Sequence, residues 1–188
     1  MANLTGKSII GFQPGGEGDP AVFGINPATG ESLQPGYAAV SEAELNRAVE
    51  LAADAFEVFG KTSGTDKAAF LRKIADNIEA IGDDLARLAP QETGLPEGRI
   101  RLETGRTCGQ VRLFASVAEE GTWVDARIDL ADPERVPVPK PDVRSMERPL
   151  GSVAVFCASN FPLAFSVAAR MATIRADCSL AMASKMAW

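Results

Sequence analysis

Residues 151–166 (Gly-Ser-Val-Ala-Val-Phe-Cys-Ala-Ser-Asn-Phe-Pro-Leu-Ala-Phe-Ser) change structural period halfway through, and that change restricts the kind of fold the chain can join. Over 152–157 the chain is apolar and rich in Val and Phe without clean alternation, the pattern of a parallel-sheet strand covered on both faces. Ala158-Ser159-Asn160 breaks the run. Pro162 suits the first turn of a helix, where its missing N–H is not wanted, and Leu163, Phe165, Val167 and Ala168 continue as a buried helix. The reading is strand, tight turn, helix, one unit of an α/β fold.

In an open α/β sheet, ligands bind in the crevice beyond the carboxyl end of a strand, and a helix N-terminus placed there offers free N–H donors. On this reading Asn160 stands in that crevice. Its side-chain amide can donate to an oxygen that becomes negative during acyl-type chemistry. An Asn at such a place also serves as a turn or capping residue, and spacing alone leaves both roles open.

Composition narrows the function. With 46% hydrophobic and 23% charged residues the chain is a soluble globular protein, and 188 residues are enough for a domain core. A net charge of −6 and no basic patch argue against a nucleic-acid partner, which would need clustered Lys and Arg to displace counterions. There is no His, which removes the commonest general base and metal ligand and any Ser-His or Cys-His pair within this chain; no metal is expected. Cys108, Cys157 and Cys178 are odd in number and lack a Cys-x-x-Cys pair, so neither a disulfide framework nor a zinc site is expected, and a reducing cytoplasm fits. The first residues show no basic region followed by an apolar core, so no secretory signal is read. Residues 149–169 are uncharged for 21 residues, long enough to cross a bilayer, but Asn160, three Ser and two Pro argue against a membrane helix.

Taken in order, residues 8–12 read as a first strand. Gly15-Gly16-Glu17-Gly18 is an ordinary loop, because no strand leads straight into it and no helical pattern follows, as a dinucleotide fingerprint requires. Residues 21–25 and 32–40 flank the turn cluster Asn26-Pro27-Ala28-Thr29-Gly30 and predict a hairpin or ribbon. Ser41-Glu42-Ala43-Glu44 is a capping box, followed at helical spacing by Leu45, Ala48, Val49, Ala52, Phe56 and Phe59 up to Gly60. A second helix begins near Thr65 and carries Phe70, Leu71, Ile74, Ile78 and Ile81, with a break at Gly82-Asp83-Asp84 before Leu85 and Leu88. Pro96 opens a third helical segment to about Glu120. Gly105 and Gly109 share one face of it, and since helix-interior glycines cost about 1 kcal/mol each, the pair predicts close approach by another backbone or a ligand. Residues 126–130 and 143–147 read as edge strands around a proline-rich turn, an exposed ribbon marginal on its own.

Asn160-Phe161-Pro162-Leu163, preceded by the apolar strand, resembles the Asn-Phe-Pro segment of the aldehyde dehydrogenase superfamily. Other motifs keep the order: Asn26-Pro27-Ala28-Thr29-Gly30-Glu31 is similar to the family's early hairpin, Arg72-Lys73-Ile74-Ala75-Asp76-Asn77-Ile78-Glu79 to its second helix, and Glu92-Thr93-Gly94-Leu95-Pro96 to the turn that follows. Ala158-Ser159-Asn160, where many members have Pro-Trp-Asn, is similar to the subgroup acting on 2-oxoglutarate semialdehyde (2,5-dioxopentanoate) and to some fatty-aldehyde enzymes. The resemblance implies an α/β fold of which this chain is the N-terminal part, an incomplete Rossmann-type cofactor domain plus an oligomerisation ribbon. Residues 1–125 then begin the cofactor domain, 126–147 form the ribbon completed by another subunit in a homo-oligomer, and 148–168 form the first strand-turn-helix unit.

The activity it implies is oxidation of an aldehyde to its carboxylate with NAD or NADP, through a thioester on a Cys that, like the general-base Glu, lies beyond Trp188. Asn160 is the residue carried over as catalytic, helping to bind the carbonyl oxygen. Phe156, Cys157, Ala158 and Ser159 are carried over to the cofactor. In the family the 96–120 helix borders the substrate tunnel, so Phe161, Arg106, Gln110 and Arg112 are substrate candidates. Guanidinium groups can pair with a substrate carboxylate, while a solvated helix face is the plainer alternative. Cys157 is read as a small buried residue rather than a nucleophile, with no base near it. The resemblance covers about residues 8–168; residues 169–188 match none of the expected continuation and read as an aberrant tail, as from a frameshift or early end. Expected of this polypeptide alone are no turnover and little or no NAD(P) binding. A non-catalytic remnant that docks onto a full-length relative is the alternative, and a membrane-associated protein using 149–169 a third.

Overall fold

The computed structural model describes residues 4–16, 18–158 and 160–168. Ser159 and the tail at 169–188 lie outside the described residues.

Two short antiparallel ribbons come first. β1 (Ser8–Ile10) pairs with β2 (Gln13–Gly15), Ile9 opposite Pro14, through a two-residue turn in which Gly11 and Phe12 both take positive φ, 56° and 68°. That turn geometry matches the twist of the flanking strands. β3 (Pro20–Val22) pairs with β4 (Tyr37–Ala38), and the expected turn closes with the Gly30 amide donating to Asn26 O at 2.7 Å and the Asn26 amide to Glu31 O at 2.9 Å. The glycine loop after β2 serves a helix cap: the Gly16 amide donates to Glu44 Oε1 at 2.7 Å.

Helix α1 (Glu42–Phe59) starts on the predicted capping box, in which the Glu44 amide donates to Ser41 Oγ at 3.2 Å and the Ser41 amide to Glu44 Oε2 at 2.8 Å. Bonds from the Ser41 and Gly16 amides hold the Glu44 carboxyl below the usual carboxylate range. α2 (Gly64–Ala80) is capped by Ser63, whose Oγ accepts from the Asp66 amide at 3.1 Å. The break foreseen around Gly82 is real: α3 (Gly82–Thr93) starts after Ile81 and ends on left-handed Gly94. α4 (Glu97–Glu120) follows Pro96 and ends on left-handed Gly121.

The core lies between α2 and α4. Ala68, Leu71 and Ala75 of α2 meet Cys108, Val111 and Ala115 of α4, all fully buried, with Phe59, Ile74, Ile78, Phe114 and Val167 packed around them. Both sets recur at three- and four-residue spacing, one stripe per helix, and their small side chains let the two axes approach closely. Cys108 donates through Sγ to Ala75 O at 3.6 Å, and burial pushes its thiol up. The rim of this seam is ionic: Arg72 pairs with Glu119 at 2.5 Å, and Arg112 with Glu79 at 2.5 Å and Asp76 at 2.8 Å.

Beyond α4 the predicted ribbon forms. β5 (Arg127–Asp129) pairs with β6 (Val143–Ser145), Ile128 opposite Arg144, and Asp132 and Lys140 extend the pairing by exchanging amide bonds of 2.9 Å. Every residue of both strands is exposed.

Two expectations are corrected. Residues 152–157 form no ladder strand among the described residues, and half-buried Val153, Val155 and Cys157 alternate with exposed Ser152, Ala154 and Phe156, the last 92% exposed. A strand patterned to be covered on both faces takes its regularity from neighbours on each side, and among the described residues no ladder forms along it, Val153 alone standing in an isolated bridge. At Gly105 and Gly109 no other backbone among the described residues makes the close approach, since a Cβ built on either would find none of their atoms within 4 Å outside the helix's own backbone, so of the two expected neighbours the backbone is set aside.

Candidate functional site around Asn160

The segment after residue 157 turns sharply, with the Phe161 amide donating to Ala158 O at 3.2 Å, and then enters a single π-helical turn, Ala164–Ala168. Pro162 is buried, Phe161 half-buried and Asn160 exposed. Within the turn the Val167 amide donates to Leu163 O at 2.8 Å, and the Ser166 hydroxyl donates to Pro162 O. Phe161 and Phe165 stack at 5.0 Å between centroids.

This segment lies on α4. Arg99 Nη2 donates to Asn160 O at 3.1 Å, and the same guanidinium sits 4.7 Å over the Phe161 ring. One turn further along, the Glu103 carboxylate accepts through Oε1 from the Leu163 amide at 2.8 Å and the Ala164 amide at 2.9 Å. The helix N-terminus therefore does not offer free donors, as its position at a strand end led one to expect: two of its amides are already bound to a side chain of the protein. Glu103 carried no signal in the sequence beyond its place three residues before Arg106. A carboxylate at a buried position of a helix stripe, ahead of a Pro-led helix whose amides need acceptors, is the pattern that could have found it.

Helical geometry, about 100° per residue, sorts the substrate candidates. Arg99, Glu103, Arg106 and Gln110 fall on one narrow stripe, so Arg106 and Gln110 share the edge of α4 that carries Asn160. Arg106 is exposed and in no ion pair among the described residues, and Gln110 is half-buried. Arg112 falls nearly opposite, on the α2 seam, where Asp76 and Glu79 hold it and raise its pKa further. The structure thus brings Asn160, Phe161, Arg106 and Gln110 to one edge and separates Arg112 from them.

Of the cofactor candidates, Phe156 is open to solvent, and Cys157 and Ala158 are half-buried. Together they make an uncharged edge just ahead of Asn160. Two hollows among the described residues lie elsewhere: one of about 220 Å³ between Glu79, Asp83, Arg101 and Thr104, and one of about 280 Å³ beside Gly64, Lys67, Ala118 and Trp123. No group of His, Cys, Asp and Glu among the described residues is arranged to hold a metal ion, and no helix is long and apolar enough to cross a membrane.

Comparison with known proteins bears on the whole of this arrangement. A model of the aldehyde dehydrogenase family matches residues 16–185, running on through the tail that the sequence reading had set apart. Over 166 residues the chain is 45% identical to alpha-ketoglutaric semialdehyde dehydrogenase 2 of Azospirillum brasilense, covering 88% of this chain and 32% of that protein. Over 182 residues it is 40% identical to alpha-ketoglutaric semialdehyde dehydrogenase of Acinetobacter baylyi, covering 96% and 35%. The chain thus spans about a third of the length of these relatives. Among solved structures, succinate-semialdehyde dehydrogenase from Burkholderia pseudomallei superposes with a TM-score of 0.77 at 26% identity, over 93% of this chain and 34% of that one. An aldehyde dehydrogenase from Brucella melitensis biovar abortus does so with a TM-score of 0.78 at 23% identity, over 94% and 35%.

Proposed function

Because the chain belongs to the aldehyde dehydrogenase family, we propose that it is the amino-terminal part of an enzyme that oxidises 2-oxoglutarate semialdehyde, or an aldehyde like it with a distal carboxylate, to the carboxylate. The observation that carries the substrate is the 45% and 40% identity to two alpha-ketoglutaric semialdehyde dehydrogenases. The exposed Asn160 on a pinned backbone supports the chemistry. Its side-chain amide donates to the aldehyde oxygen as negative charge develops there, an electrostatic role whose removal costs on the order of 10²–10³ in kcat in comparable sites.

Arg106 supplies a charged fork for the distal carboxylate, Gln110 a neutral donor beside it, and Phe161 the apolar wall between the two ends of the substrate. Arg112 belongs to the α2–α4 seam in this proposal. NAD or NADP accepts the hydride when bound; Phe156, Cys157, Ala158 and Ser159 would hold one edge of it, and the uncharged character of the first three, with Phe156 open to solvent, fits a flat ring rather than a phosphate. The amides bound to Glu103 are not available to a phosphate. The exposed 126–147 ribbon is the oligomerisation arm, and a cytoplasmic location accords with the free thiols of Cys108 and Cys157.

The test is a fusion of residues 1–168 to the remainder of the Azospirillum brasilense relative, assayed with 2-oxoglutarate semialdehyde and with an unbranched alkanal. A higher kcat/KM for the acidic aldehyde, reduced toward the alkanal's by Arg106→Ala, is expected. Equal values for Arg106→Ala and the parent on the acidic aldehyde would remove the carboxylate role.

A further inference from the structure

We propose that Glu103 is the positioning residue of this site: from α4 it fixes the turn that carries Asn160, and so sets where the Asn160 amide points. The inference rests on the catalytic reading of Asn160 and adds to it a residue that no motif marks.

The chain chemistry at the turn is specific. A helix leaves its first amides without internal acceptors, and Pro162 has none to offer, so Leu163 and Ala164 carry the first two free donors. Both end on one oxygen, Glu103 Oε1, at 2.8 and 2.9 Å. A carboxylate accepting from amides makes charge-assisted bonds, stronger than those of a neutral cap. Glu103 is only 5% exposed, and its other oxygen, Oε2, has no hydrogen-bond partner among the described residues; nor has Thr107 Oγ1, one turn further along α4. A buried carboxylate with half its acceptor capacity unused is a poor choice for stability alone, because desolvating it is costly. Its two bonds to the turn are what it provides.

The second fixing point stands on the other side of Pro162. Arg99, one turn before Glu103 on the same stripe, holds Asn160 O at 3.1 Å and covers Phe161. Pro162 between them has its φ locked by its ring. The backbone from Asn160 to Ala164 is therefore clamped at both ends to α4, and α4 is itself fixed by the fully buried Cys108, Val111 and Ala115 against α2. Asn160 is the exposed residue of this stretch, Phe161 and Leu163 being half-buried and Pro162 and Ala164 buried. That is the arrangement a donor needs if it is to meet an oxyanion without reorganising.

Two readouts test this. In the 188-residue chain, amide hydrogen exchange and ¹H–¹⁵N spectra report on Leu163 and Ala164 directly. Glu103→Ala is expected to lower their protection at least about tenfold while Leu71 and Val111 keep theirs, and Glu103→Gln, which keeps a neutral acceptor, to restore part of it with both amide protons moved upfield. In the fusion enzyme, Glu103→Ala is expected to lower kcat on the order of 10- to 100-fold with KM changed less than threefold, and Glu103→Gln to recover part of the loss. Unchanged protection at Leu163 and Ala164 in Glu103→Ala overturns the clamp, whether or not the fusion folds. Lost protection with unchanged kcat, in a fusion that Asn160→Ala does inactivate, overturns the positioning role. If Asn160→Ala leaves kcat intact, it is the catalytic reading of Asn160 that fails, and with it the positioning of a catalytic amide, while the exchange data still decide the clamp.

Discussion

Gly64 and the α4 glycines offer opposite signs for the same substitution. In a helix, Gly→Ala gains up to about 1 kcal/mol from backbone entropy. At Gly64, the first residue of α2, an added Cβ would run into the carbonyl oxygen of Ala118, with the Ala118 carbonyl carbon at 3.3 Å and Glu119 Cα at 3.7 Å behind it. These are backbone atoms at the end of α4 and cannot swing aside, so α2 and α4 must separate where their seam begins. Overpacking of this kind costs about 1–3 kcal/mol, so Gly64→Ala is expected to destabilise by about 1 kcal/mol net. At Gly105 and Gly109 no described residue outside the helix's own backbone lies within 4 Å of the added methyl, and each substitution is expected to stabilise by about 1 kcal/mol. Urea unfolding of the 188-residue chain followed by helical circular dichroism reads both. With a slope of about 2 kcal/mol/M, Gly64→Ala and Gly105→Ala should differ by about 1 M in midpoint, on opposite sides of the parent. A midpoint for Gly64→Ala at or above the parent, or one for Gly105→Ala below it, refutes the reasoning.

Leu71 is fully buried among Ala68, Ala75 and Ala115, side chains too short to refill its space, so Leu71→Ala should cost about 3–5 kcal/mol; a loss under 1 kcal/mol in the same urea assay would place the core elsewhere. The carboxyls of Glu79 and Glu119 are held below the usual range first by hydrogen bonds from Arg112 and Arg72. Groups with a lowered folded pKa stabilise fully above their unfolded value and lose that as pH falls through the folded one, so the seam should weaken below about pH 4.5. Because these pairs are exposed, 1 M salt should erase much of the difference between the parent and Arg112→Met at pH 7, and a difference insensitive to salt would mean the pair acts by packing instead. In the fusion enzyme, shortening the 126–147 ribbon should give a smaller particle by light scattering, since its strands expose Ile128 and Val143 and leave their edges unpaired; an unchanged mass would refute the oligomerisation role.

The helices were legible because their signals are local. A capping box at Ser41, apolar stripes at three- and four-residue spacing, and Pro96 before α4 each act within a few residues of themselves, and the structure follows them closely. The β1–β2 hairpin was half legible: its turn is Gly11-Phe12, and Phe is not a residue that signals a positive φ, so the first strand ran on to residue 12 and no return strand was seen in 13–15. The 152–157 run failed in the other direction. Its pattern is that of a strand between two neighbours, and pattern states what a segment is built for, while the ladder itself depends on partners that the described residues do not provide. At the α4 glycines the described residues supply no second backbone and leave open space, so of the two neighbours read for them, a backbone or a ligand, only the backbone is set aside.

Candidate site residues divide by how their job is done. Asn160 and Phe161 could be named from a motif, because the residue type and its place after an apolar run carry the chemistry. Glu103 could not, since its job depends on a contact sixty residues away with amides that any side chain at 163 and 164 would present. Arg112 shows the converse. Its guanidinium suits a carboxylate, and sequence cannot say whose; helical phase alone, counted from Glu103, already turns it away from Asn160 and toward Asp76 and Glu79. Counting phase along α4 from the first residue known to touch the site therefore does more than residue type to decide which cations can reach a substrate there. By that count Arg106 is the guanidinium on α4, beyond the three already committed at Arg99, Arg101 and Arg112, whose direction and freedom both suit the task.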